Sequence, residues 1–425
     1  MKKVLIISHM FLEQEAIGSV RIRGLAKFLP EFGWNPVILT IKFPRKSEPG
    51  FNVVETFYQD KQKKLKESLG FNVDETIKDQ LALPVYKNKK SLIDYIFYIW
   101  QEIFNYPDLE KSWYKYAVDA GKTLLENESF DAMISSSSPV TSHLIAKNLK
   151  NKYGIPWIAD LRDLWTQNHY YSHTKVRRLI ERKLEIKTLA MADALVTVSP
   201  YLADKLKELH KNRIYSITNG FSDEETDRND VKLTEKFTIT YTGSLYLSKR
   251  DPIKLFQALN ELILKKIVDS KDIDIRFYGL KESWLEEEIK SFNLEKIAKW
   301  LGFVNRMTAL KKQRESQLLL LLLWDHPEEK NIATGKLFDY LGSKRPILAI
   351  GGSKGFVKEI LDETNAGMYA ISIDEIKNYL VNSYQEWKKN GKVSYNGKIS
   401  NINRYTHREM AKKFSEVLNS LTNHI

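Results

Sequence analysis

Short apolar runs alternate with amphipathic helical stretches along almost the whole chain, and this pattern restricts the fold to parallel-sheet α/β architecture. Lys3–Ser8, Pro36–Ile41, Asp131–Ser135, Trp157–Asp160, Ala194–Ser199 and Arg213–Ile217 read as strands. Gly18–Phe32, Leu109–Asn127, Pro139–Tyr153, Lys175–Met191 and Leu202–His210 read as the helices between them. Phe221–Glu235 interrupts the alternation with a polar, acidic, aperiodic stretch, the character of an inter-domain linker. The alternation then restarts. Phe237–Thr242, Asp274–Tyr278, Ile297–Leu301, Leu318–Leu323, Ile347–Ile350 and Gly367–Ile371 read as strands. Their helices are Pro252–Ile267, Trp284–Phe292, Thr308–Glu315, Gly335–Leu341 and Val357–Leu361, and Ile373–Lys389 and Asn403–Leu421 close the chain. The expectation is two doubly wound sheets: residues 1–221, a linker at 222–235, a second domain at 236–402 and a closing helix at 403–425.

Length agrees, since 425 residues exceed one core and suit two domains of about 200 residues each. The absence of cysteine excludes disulfides and thiolate metal sites and fits a reducing, cytoplasmic setting. The apolar run after Lys2–Lys3 stops at Ile7, too short for a signal peptide. The longest apolar run, Leu318–Trp324, is far short of the roughly 18 to 20 residues that span a bilayer. Net charge is +12. Its lysines are dispersed without a zinc-finger or RNA-binding signature, so anionic small substrates or a membrane surface explain it better than nucleic acid.

Residues 45–108 read as an insertion, with a short echo of Gly-Phe-Asn-Val at 50–53 and 70–73. Within it, Ser91–Tyr106 is densely apolar and aromatic and follows Lys87, Lys89 and Lys90, the pattern of a peripheral membrane contact or of a helix packed on the domain.

Ligands of doubly wound sheets bind outside the carboxyl ends of the strands, so the loops there matter most. After Thr242 come Gly243 and Ser244, then Lys249 and Arg250 ahead of Pro252, two cations suited to a phosphate at a helix start. After Leu323 come Asn331, Thr334, Gly335 and Lys336, where free amides and the positive helix end can hold a diphosphate. Lys336 and Asp339 are three apart and share a face, so a cation and a hydroxyl-binding carboxylate can address one ligand. Thr-Gly-Lys resembles the end of a Walker loop, but Lys330 stands where its first glycine is required. Leu301–Asn305 offers backbone groups to a base edge, and Gly351–Gly355 lies after the next strand without the glycine order of a dinucleotide cofactor site. In the first half, Gly18 to Arg21 open a helix, and Asp160, Arg162 and Asp163 follow a strand. A carboxylate there can meet a sugar hydroxyl, or Asp160 and Asp163 can simply pair with Arg162. Asp272 and Asp274 read as a solvated pair, the histidines lack ligand spacing, and no nucleophile elbow occurs. Neither a metal nor a cofactor is expected.

Taken in order, these loops resemble the family 4 retaining glycosyltransferases of the GT-B superfamily, in particular a bacterial polysaccharide-synthesis subgroup. TGSLYLSKRDP resembles the family's G-R-L-x-x-x-K-G loop, with Lys249 as the diphosphate lysine and Ser244 in place of the usual arginine. LGFV resembles the loop that contacts the base through backbone near Val304. The E-x7-E positions fall on Asn331 and Asp339, as in a subgroup reading T-G-K-x-F-[DE]-Y-L. Arg162 stands where many relatives carry a sugar-contacting histidine. SITNGF, SSSSPVTSHLIA and YPDLEKSW add to the likeness.

The resemblance implies two Rossmann-like domains facing a cleft, with the C-terminal helix packing back on the first. It implies metal-independent, retaining transfer from a UDP- or GDP-sugar to a saccharide or lipid-linked saccharide, at or near the inner membrane face. Lys249, Arg250 and Asp163 would serve catalysis. Gly18, Arg21, Arg162, Gly243, Ser244, Val304, Asn331, Thr334, Gly335, Lys336 and Asp339 would bind substrates. A nucleotide-sugar epimerase and a non-catalytic nucleotide-sugar binder are the alternatives.

Overall fold

The central strands are buried along most of their length because helices cover both faces of each sheet; Leu318–Leu322, five consecutive leucines, is buried throughout. The computed structural model describes residues 1–11, 17–43, 50–59, 102–171, 173–226, 231–246, 249–329 and 331–423. Its chain divides into two compact units, one of Met1–Ser216 with Lys412–Ile425, the other of Ile217–Ala411.

The first unit holds β1 (Lys2–Ile7), α1 (Ile17–Phe28), β2 (Trp34–Ile41), β3 (Asn52–Thr56), α2 (Trp113–Asn127), β4 (Ala132–Ser137) and α3 (Thr141–Tyr153). It continues with β5 (Trp157–Leu161), α4 (Lys175–Leu189), β6 (Ala194–Thr197), α5 (Pro200–Leu209) and β7 (Arg213–Ser216). All seven strands are parallel, in the order β3-β2-β1-β4-β5-β6-β7.

The second unit holds β8 (Phe237–Thr242), α6 (Ile253–Leu264), β9 (Ile273–Tyr278), α7 (Ser283–Ser291), β10 (Ala298–Trp300), α8 (Arg306–Arg314) and β11 (Leu318–Leu322). It continues with α9 (Gly335–Gly342), β12 (Ile347–Ile350), α10 (Phe356–Thr364), β13 (Gly367–Ala370) and α11 (Ile373–Asn390). Its six parallel strands run β10-β9-β8-β11-β12-β13. The chain winds outward from β8 to β10, then crosses back to β11, so the loops leaving β8 and β11 diverge at a topological switch point.

The last helix, α12 (His407–Thr422), begins in the second unit and ends in the first. There Trp34 Nε1 donates to Asn419 at 3.2 Å and Lys2 donates to Thr422 at 2.8 Å.

Several elements differ from the sequence expectation. The stretch read as one helix to Phe32 tightens to a 3-10 turn at Leu29, where Pro30 has no N–H to continue the α ladder. Asn403–Leu421 is broken at Thr406, whose backbone is extended and whose hydroxyl accepts from the Glu409 amide. Part of the supposed insertion is sheet, since β3 pairs in register with β2. Within the expected linker, Asp223–Thr226 forms a short helix. The second Gly-Phe-Asn-Val, positions 91–101 of the apolar stretch and Lys330 lie outside the described residues. Among the described residues, no helix is long and apolar enough to cross a membrane.

Candidate active site

At the end of β8 the backbone turns through Gly243, whose φ of +112° favours glycine. Its N–H donates to Tyr278 O at 2.6 Å, and a Cβ at Gly243 would lie 2.3 Å from Lys336 Cε. Lys336, the second residue of α9, thus passes directly under the loop. Its Nζ donates to Tyr241 Oη at 2.6 Å and to Ser244 O at 3.1 Å, while Tyr241 Oη donates to the same carbonyl at 2.7 Å. Burial, and then the neighbouring Arg250 guanidinium, hold this ammonium well below the ordinary lysine range, partly offset by Glu282. Arg250 is itself 8% exposed and stacks on the Tyr246 ring at 4.4 Å. Burial raises the Tyr241 phenol, with Arg250 opposing the shift. The buried Arg250 beside the half-buried Lys336 makes this loop a place where an anion is electrostatically favoured.

Lys249 lies on the other side of the loop, its Nζ 4.3 Å from the Trp324 ring. Trp324 follows β11 and stacks on His326 at 4.4 Å. This Trp324 platform escaped the sequence reading, where it appeared only as the end of an apolar run.

From β11 the chain reaches α9, with Thr334 as N-cap. Thr334 makes no side-chain cap bond, and its Oγ1 is buried without a hydrogen-bond partner. The first amides of α9 therefore present the uncapped positive end of a helix. Asp339 is engaged elsewhere: Arg306 donates to both its oxygens, at 2.7 and 3.0 Å, and also reaches Glu225 at 3.2 Å. Lys336 and Asp339 thus each hold a protein partner, Tyr241 and Arg306 respectively. Val304 is half-buried in the loop after β10, where Gly302 O accepts from the Gly279 amide at 3.0 Å. Asn331, also half-buried, precedes α9.

In the first unit the charges pair differently from expectation. Arg21 forms a buried ion pair with Asp160 at 2.9 Å, and Ser136 Oγ donates to the same carboxylate at 2.8 Å. Arg21 is therefore a core strut here, and Asp160 does not pair with Arg162. Arg162 donates to Ser137 O at 2.6 Å and Ser138 O at 3.2 Å, and a Cβ at Gly18 would lie 2.5 Å from its Nη1. Asp163 is exposed beside it, and its charge partly offsets the lowering that burial imposes on the Arg162 guanidinium.

Asp272 and Asp274 are ion-paired rather than simply solvated: Lys388 reaches Asp272 at 2.8 Å and Arg276 reaches Asp274 at 2.7 Å. Among the described residues, no three His, Asp or Glu side chains converge as a metal site would require. A cavity of ≈ 420 Å³ lined by Thr234, Lys236, Arg276 and Lys299 lies at the amino ends of β8, β9 and β10, the edge opposite the ligand loops.

Residues 84–225 match the sequence profile of Glycosyltransferase Family 4. No curated protein matches the chain. Among solved structures, sucrose-phosphate synthase from Thermosynechococcus elongatus superposes with a TM-score of 0.64 at 12% identity, covering 100% of both chains. A glycosyltransferase from Rickettsia africae ESF-5 gives 0.61 at 12% identity, over 99% of this chain and 98% of its own. Anabaena Alr3699/HepE, crystallised with UDP and glucose, gives 0.60 at 12% identity, over 99% of this chain and 100% of its own. Likeness at such identity establishes the fold, two Rossmann-like parallel-sheet domains of the GT-B type.

Proposed function

We propose that this chain, of GT-B fold and with residues 84–225 matching the profile of Glycosyltransferase Family 4, moves a sugar, with retention and without a metal, from a UDP- or GDP-sugar to a saccharide or lipid-linked saccharide acceptor. The observation that carries this reading is the convergence of Arg250, Lys336 and the uncapped start of α9 around Gly243, beside Lys249 on Trp324. In transfer, the bond from the anomeric carbon to the diphosphate breaks and negative charge accumulates on the departing oxygen. Fixed cations and helix amides stabilise that charge without reorganising, usually the largest catalytic contribution.

Residues 236–402 take the donor and 1–221 the acceptor in this reading. Lys249 and Arg250 neutralise the diphosphate, and Thr334 and Gly335 offer it hydroxyl and amide donors. Backbone near Val304 meets the base. Asp339 accepts from ribose hydroxyls on the lone pairs that Arg306 leaves unused, since a carboxylate accepts about four hydrogen bonds. Asp163, exposed at the end of β5, offers a carboxylate to the acceptor. A UDP-sugar as donor is supported by the UDP complex of the Anabaena protein. A lipid-linked acceptor would bring the enzyme to the cytoplasmic face of a membrane, in surface-polysaccharide synthesis.

The test is incubation of the purified protein with UDP- and GDP-sugars in EDTA, with and without saccharide acceptors, and NMR of the product anomer. Transfer with retained configuration supports the proposal. An isomerised donor sugar without acceptor would assign an epimerase, and binding without turnover a non-catalytic receptor.

A further inference from the structure

Helix α4 is inside out. Its two carboxylates, Glu181 and Glu185, are buried together with Arg177 and hold the helix to the first unit by polar contacts. Arg177 Nε donates to Glu181 at 2.7 Å, Trp165 Nε1 donates to Glu181 at 3.0 Å, and the Thr166 amide donates to Glu185 at 3.1 Å. The aliphatic residues face the other way: Val176 is 68% exposed, Leu179 63%, Ile180 52% and Ile186 39%. A surface helix ordinarily buries its apolar stripe and turns its charges to water. Here the order is reversed over three turns, and scattered single exposures do not account for it.

The outward face is also of one sign. Lys175, Arg178, Arg182, Lys183 and Lys187 are all exposed, and no carboxylate of the helix is. Arg177 adds a further apolar element by donating to Glu102 O at 2.8 Å and Asn105 O at 2.9 Å. The turn bonded in this way to the first turn of α4 carries Ile103 and Phe104, each more than half exposed.

We infer that this face of α4 docks on an anionic lipid surface. The aliphatic side chains enter the headgroup region while the cations, on stems long enough to reach outward, meet lipid phosphates. Charge complementarity selects this occupant. A second copy of the chain would set five cations against five, and a nucleic acid would satisfy the cations but leave the aliphatic residues in water. The inference concerns the first unit alone and does not depend on the transfer reaction.

Vesicle co-sedimentation of the full chain tests it, using phosphatidylcholine vesicles with and without phosphatidylglycerol, alongside UDP binding as a check of the second unit. The protein is expected to pellet with the anionic vesicles only and to be released by added salt. Lys183→Gln with Lys187→Gln should weaken partitioning about tenfold, and Leu179→Ser with Ile180→Ser by at least as much, with melting temperature and UDP affinity unchanged. Three results would overturn the inference: no pelleting with anionic vesicles, pelleting of both double variants equal to that of the unsubstituted chain, or binding to duplex RNA in preference to vesicles. Dimerisation that is lost in Leu179→Ser with Ile180→Ser would overturn it as well, by assigning the face to a second copy.

Discussion

Lys249 and His143 show how differently two nitrogen-bearing side chains behave under different burial. Lys249 is partly exposed, with its ammonium over the Trp324 ring. Lys249→Ala should lower kcat by about 10²- to 10³-fold if it stabilises the leaving diphosphate. Its folding stability should stay within about 0.5 kcal/mol, as for surface substitutions generally; equal turnover in the purified variant would remove Lys249 from the mechanism. His143 is the opposite case. It is fully buried, Ser135 Oγ lies 2.8 Å from its Nδ1, and burial depresses its pKa from 6.5 to about 4. Between those values the unfolded chain binds a proton that the folded one does not, so stability falls as pH drops from about 6.5 to about 4. At about 1.36 kcal/mol per pH unit the loss approaches about 3 kcal/mol. Urea midpoints measured across this window should decline in the wild type and decline less in His143→Gln; parallel curves would contradict the assignment. None of these pairings is visible in a linear pattern. Arg21 and Asp160 are 139 residues apart, and Arg306 and Asp339 are 33 apart. Periodicity locates a charged residue on a helix or loop, whereas its partner is chosen by the packing of other elements.

The loop from β8 to α6 depends on a single conformational choice. Gly243→Ala would place a methyl group at φ +112° and against Lys336, whose Nζ is held by Tyr241 and Ser244. The expected cost is about 1–3 kcal/mol, with weaker UDP binding because the loop and Lys336 must separate. Adding Lys336→Ala, which removes the Cε that the methyl would meet, should relieve the collision but not the backbone strain, so calorimetry would show partial recovery of stability; full recovery would mean that strain at Gly243 is negligible. At this scale the sequence was most readable where strands are buried on both faces. Five leucines at 318–322 and the run in β1 leave little freedom of interpretation. β3 was missed because Asn-Val-Val-Glu-Thr is an edge strand with mixed burial, so its apolar signal is diluted. The outline of the candidate site was legible for a related reason: strand ends, Gly243 and the Thr334–Gly335 helix start occur at regular places in a doubly wound fold. The orientation of α4 was not, because a stripe of aliphatic residues beside a stripe of charges looks the same whichever side faces the core.

At the scale of the whole chain, the second unit's strand order has the same sense as the inner strands of the first, each sheet reversing direction beside its first strand. The first unit is completed only by the last helix. Phe414, Val417 and Leu418 are buried there, Phe414 lies under Arg21 at 5.3 Å, and Asn419 bonds Trp34. Each such side chain contributes about 1.5–3 kcal/mol. Truncation after Ala411 should therefore lower the protection of β1 and β2 amides in hydrogen exchange while leaving β11 and β12 unchanged; unaltered protection of β1 would contradict this dependence. The central claim is that fixed cations and the start of α9, rather than a divalent ion, neutralise a diphosphate at the β8–β11 switch point. A crystal structure with UDP bound in the presence of EDTA tests it most directly. The diphosphate is expected within hydrogen-bonding distance of the Gly335 amide and Lys249. A diphosphate that binds only with a divalent ion, or at the amino edge of the sheet near Lys236 and Lys299, would contradict the claim.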